Sequence, residues 1–149
     1  IQNTKKFKPE LKMFFKKQKI IKNNFHTKIC ALLIHAAKID ENYTEKEEEI
    51  IKKTLNKLGL EKENITKTIE AAKIIEENSN QILDFTREVK NLPEEDKIII
   101  VQSLWSIIYS NKEADIYETN LMRRLAGLLY IDNKTMGDIK ERVKNLNLK

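Results

Sequence analysis

Residues 30–60, CALLIHAAKIDENYTEKEEEIIKKTLNKLGL, and residues 101–131, VQSLWSIIYSNKEADIYETNLMRRLAGLLYI, carry one pattern at a constant offset. A chain that holds the same helix-loop-helix unit twice has few ways to fold. Leu33 aligns with Leu104, Ile34 with Trp105, Glu47 with Glu118, Ile50 and Ile51 with Leu121 and Met122, and Leu58 with Leu129. Few residues are identical, but the residue kinds match throughout. In each copy the second helix opens on the same device, Thr44-x-x-Glu47 and Asp115-x-x-Glu118. This is a capping box: the first side chain accepts from a backbone N–H of the first turn, and the Glu reaches back to the cap residue's own N–H.

The remainder reads as helices packed around the two units. Leu11, Phe14, Phe15 and Ile21 share a face over residues 8–23, with Pro9 suited to the first turn. Residues 25–39 form the next helix, burying Phe25, Ile29, Leu32, Leu33 and Ala36. The capped helix 45–58 follows and stops at Gly59. Between the units the spacing predicts helices over 62–77 and 80–91, parted by Asn78-Ser79-Asn80, whose side chains favour turns. Pro93 starts a helix with Glu94, Glu95 and Asp96 at its positive end. Its continuation to Tyr109 is apolar on nearly all sides, so it is predicted to be the most buried helix, with Trp105 near the centre of the core. Helix 116–130 and a last helix over 135–146, with Met136, Ile139, Val143 and Leu146 at helical spacing, complete the chain. With three glycines, two prolines and no strand alternation, the expected fold is all-α: a compact bundle of about seven to eight helices with a pseudo-repeat of two capped helical hairpins.

Charge divides the chain where the pattern does. Residues 1–28 hold nine lysines and one acid, a net +8, whereas residues 29–149 sum to −3. The basic balance of the whole therefore describes an arm, residues 1–24, ahead of a helical domain over residues 25–149. Lys12, Lys16, Lys17, Lys19 and Lys22 make that arm a candidate surface for anionic lipid or a protein partner. The same Leu/Phe stripe also suits a first bundle helix. Nucleic acid is disfavoured, because Phe14 and Phe15 are better used in that stripe than as base-stacking platforms. No apolar run approaches the roughly 20 residues of a membrane span. The single Cys30 excludes an internal disulfide, and a cytoplasmic location, with peripheral contact to the inner membrane, is expected. The chain begins at Ile1 rather than Met, which leaves open what precedes it.

Four landmarks in order, ALLIHAAKID before a capped Glu-rich helix, LDFTREV, PEEDKIIIVQSLW and EADIYETNLMRRLAGLL, resemble the TerB-like proteins, the family of the tellurite resistance protein TerB. The likeness is closest to its stand-alone bacterial members and runs from about Ala31 to Val143. It implies an all-helical bundle of repeated hairpins, a stress-response setting, and acids around the two loops that bear on divalent metal. The acids that stand at family positions are Asp40, Glu47 and Glu118, the expected ligand set if a divalent cation is bound; the other family positions hold His35 and Glu41 in copy one and Ser106, Asn111 and Lys112 in copy two.

Other chemistry finds little support. An EF-hand from Asp40 needs a glycine at its sixth position and a glutamate at its twelfth, but Glu45 and Ile51 stand there. His26 and Cys30 share a helix face as zinc ligands do, yet there is no second pair, and Cys30 reads as a small core residue. There is no glycine-rich phosphate loop and no recognisable nucleophile series. The expected function is thus a non-enzymatic, protein-binding module, with a divalent-cation-binding stress protein as the alternative.

Overall fold

A computed structural model describes residues 25–39, 43–79, 82–87, 89–111 and 116–147. Among these, seven α-helices and no strands occur: α1 (25–37), α2 (Glu45–Lys57), α3 (Lys62–Asn78), α4 (Leu83–Thr86), α5 (Glu94–Ile108), α6 (Ile116–Leu128) and α7 (Asn133–Asn147). The all-α expectation is met. The arm and its lysines, Asp40, and the cap residue Asp115 lie outside the described residues.

The repeat is physical down to its ends. Thr44 Oγ1 accepts from the Glu47 N–H at 3.2 Å, and Glu47 Oε1 accepts from the Thr44 N–H at 2.8 Å, the complete capping box. At the other end of α2, Gly59 N–H donates to Asn56 O and Leu60 N–H to Leu55 O. That pair of bonds closes a Schellman motif, and Gly59 supplies its left-handed residue at φ +97°. After α6 the same two bonds recur one repeat later, Tyr130 N–H to Gly127 O and Ile131 N–H to Ala126 O, with Tyr130 at φ +57°. A tyrosine there carries left-handed strain that glycine avoids, on the order of 1 kcal/mol. Lys90 and Lys97 place their ammonium groups 5.9 and 6.0 Å from its ring centroid, cation–π contacts that offset part of that cost.

Helix α5 is the hub, packing against α7 and α2, while α4 lies on α6. The most buried helix is nevertheless α1: ten of its thirteen residues are buried, against eight of fifteen in α5. The sequence expectation named α5 because its apolar residues are large and continuous. In α1, however, the small Cys30, Ala31, Ala36 and Ala37 also face protein and let neighbours close in on several sides. His26 Nε2 donates to Leu58 O at 3.1 Å, fixing the start of α1 to the end of α2. At the other end, Lys38 Nζ and His35 Nδ1 meet the Glu76 carboxylate at 2.9 and 3.5 Å and hold α1 to α3.

Three further expectations are corrected. The single helix over 80–91 is instead the short α4 followed by a 3-10 turn at Val89–Asn91. Pro93 biases Leu92 towards extended backbone, and the turn tightens ahead of it. Ile82, Phe85 and Val89 are still buried as the spacing required. The last helix starts at Asn133, two residues early, because Asp132 Oδ1 accepts from the Thr135 N–H at 2.7 Å and caps it. Leu146 belongs to no core; it is 69% exposed.

Candidate functional site

Two of the residues singled out by the repeat, Glu47 and Glu118, are buried. Glu47 is buried at 1% exposure, and its Oε1 accepts from both the Thr44 backbone N–H and Thr44 Oγ1–H, at 2.8 and 2.9 Å. Its counterpart Glu118 is also buried, at 5%. Among the described residues no group of three or more His, Cys, Asp or Glu is placed to hold a metal ion, and Asp40 lies outside them. Glu47 closes the cap of its own helix.

Around Glu47 a small polar cluster forms that the sequence did not signal. Tyr43 precedes the cap, and Lys73 on α3 lies 5.6 Å from its ring centroid. Lys73 also pairs with Glu48 and Glu70, each at 3.6 Å; both are partly exposed pairs of small energetic weight. The Tyr43 hydroxyl is buried beside the Glu48 carboxylate. Burial first, then the nearby Glu48 carboxylate, pushes its pKa above the ordinary value. Beneath lies Cys30 at 0% exposure, its thiol pushed up to about 12, chiefly by burial. In the second copy Tyr109 is displaced the same way, by burial and then by Glu141 and Glu118. Each buried repeat glutamate thus raises the pKa of a tyrosine. The sequence concealed this because Tyr43 and Tyr109 are not equivalent positions of the repeat.

Elsewhere the surface offers open grooves. One, of about 440 Å³, runs between α1, the end of α3 and α4, with Lys28, Ile74, Ile75, Asp84 and Arg87 along it. Ile74 is 61% exposed there, whereas Leu83, 41% exposed, lines a separate groove with Leu128 and Tyr130. A smaller groove of about 160 Å³ lies between α6 and α7 over Trp105. The Trp105 ring stacks on Tyr109 at 5.9 Å, and Lys140 Nζ stands 5.4 Å from its centroid. Trp105 is buried as expected, but at this margin rather than at the centre of the core. Its Nε1–H is enclosed without an acceptor, at a general cost of about 1–3 kcal/mol. Among the described residues no helix is long and apolar enough to cross a membrane.

The helices and their repeated C-terminal closures define a bundle of duplicated helical hairpins. A family model described as tellurite resistance protein TerB matches residues 26–141. The chain belongs to that family, as the sequence landmarks implied. Neither a curated protein nor a solved structure matches it.

Proposed function

We propose that this TerB-family bundle is a non-enzymatic protein-interaction module. The observation that carries the reading is the α3–α4 groove, where Ile74 and Ile75 are exposed beside charged Lys28, Asp84 and Arg87. Large apolar side chains gathered on one face, rimmed by charge, suit a protein partner's apolar anchor. The titratable groups support the same reading. A nucleophile or general acid–base near neutral pH needs its pKa brought towards 7, whereas the Cys30 thiol and the Tyr43 phenol are moved away from it. The occupied cap at Glu47 also favours this over a divalent-cation site at Asp40, Glu47 and Glu118.

A photo-crosslinking residue placed at Ile74 is expected to give a discrete protein adduct in cells. The same residue at Tyr117, 72% exposed, is the control. The adduct at position 74 should disappear when Arg87→Glu, across the same groove, is added. Equal labelling from both positions defeats the reading.

The lysine-rich arm is proposed to add peripheral contact with anionic membrane, since its Lys12, Lys16, Lys17, Lys19 and Lys22 oppose a body of net negative charge. Cosedimentation with vesicles containing phosphatidylserine should be strong for the full chain and lost for a chain starting at Asn24. Equal binding by both removes the membrane role.

A further inference from the structure

We propose that the groove between α6 and α7 is a binding site for a small organic carboxylate. Its charged side chains are both cationic, Arg123 and Lys140, and no acid lines it. Glu118 and Glu141, which act on Tyr109, are not among its walls. Neither Arg123 nor Lys140 makes an ion pair among the described residues. Trp105 forms part of the groove wall, and its ring lies 5.4 Å from Lys140 Nζ, which holds that ammonium at the groove. Two cations without an acidic partner among the described residues therefore line one groove, and an anion can pair with both.

The rest of the lining selects an organic anion over a bare oxyanion. Met122 and Met136 give the groove apolar, adaptable walls suited to a short hydrocarbon tail. The volume of about 160 Å³ is below that of drug-sized pockets, so the ligand is an acid of a few carbons. Gly137 bears on the same point. A glycine inside a helix is unfavourable relative to alanine. Here a Cβ would meet nothing within 4 Å, so no close packing requires its absence. What the missing side chain does is leave the groove open.

Trp105 is the single tryptophan of the chain, so its fluorescence reports directly on the groove. At constant ionic strength, butyrate is expected to produce a saturable change in emission. Butyramide, which keeps the tail without the charge, and inorganic phosphate, which keeps charge without the tail, should each bind at least about tenfold more weakly. Arg123→Gln and Lys140→Gln should each weaken butyrate about tenfold, with Arg123→Lys retaining most of the affinity. Gly137→Leu should abolish saturation while circular dichroism and the melting midpoint show an intact fold. The proposal is overturned if butyrate gives no saturable change, if butyramide or phosphate matches it, or if folded Gly137→Leu binds like the wild type.

Discussion

Leu33→Ala is expected to lower the free energy of unfolding by about 2–5 kcal/mol, a large part of what a domain of this size possesses. Leu33 is fully buried, in the helix with the greatest share of buried residues. Removing its three outer carbons loses their transfer free energy and leaves a cavity, whose cost depends on how far the surroundings can collapse. They have little freedom to do so: α1 is pinned to α2 by the His26–Leu58 bond and to α3 by the contacts of His35 and Lys38 with Glu76. Leu104, its partner in the repeat, is equally buried, and Leu104→Ala should fall in the same range. Leu146→Ala, on the exposed end of α7, should stay within about 0.5 kcal/mol of the wild type. Urea denaturation of the three variants reads this directly. A Leu33→Ala loss no larger than that of Leu146→Ala contradicts the placing of α1 in the core.

That contrast also marks what the sequence could reveal. The repeat was legible because it is made of local devices: a Thr-x-x-Glu cap and a helical stripe are complete within a few residues. The Schellman closure at Gly59 was legible for the same reason. Its twin at Tyr130 was hidden, since tyrosine does not announce a left-handed backbone and only the hydrogen bonds of Tyr130 and Ile131 show it. Burial of α1 was half legible. Its Leu/Ile stripe could be read, but whether Cys30, Ala31 and Ala37 face protein depends on helices that arrive from far along the chain. Leu146 failed in the opposite sense, because it continues a true apolar spacing past the point where α7 still has a neighbour to cover it.

The sites divide along the same line. Glu47 was correctly placed at its cap because cap and acid are three residues apart. The groove over Trp105 could not be read, because Trp105, Arg123 and Lys140 lie on three separate helices and become neighbours only when α5, α6 and α7 pack. A lone tryptophan in an apolar run looks like core until the unsatisfied Nε1–H is seen.

As pH rises above 9, the fold should weaken first through Cys30. Burial moves the thiol from an ordinary 9.0 up to about 12, with Glu48 adding to the rise and Lys73 opposing it. A folded-state pKa above the unfolded value means that the neutral form is the one the fold prefers. Its contribution is therefore fully present below pH 9 and is lost as pH rises from 9 towards 12, where the unfolded chain alone can ionise. At about 1.4 kcal/mol per unit, the loss reaches about 2 kcal/mol by roughly pH 10.5 and about 4 kcal/mol at the upper end. Tyr43, raised in the same direction, extends the decline above its ordinary 10.0. Cys30→Ala separates the two. At neutral pH it costs a small cavity, but between about pH 9 and 10.5 its stability should fall by about 2 kcal/mol less than that of the wild type. Lysine ionisation in this window acts on both proteins and cancels in the difference. The same burial makes the folded thiol nearly inert to iodoacetamide at mildly alkaline pH, with a thiolate fraction on the order of a thousandfold below that of the unfolded chain. Parallel urea midpoints for wild type and Cys30→Ala across that range, or alkylation of the native protein as fast as of the denatured one, refute the buried neutral thiol.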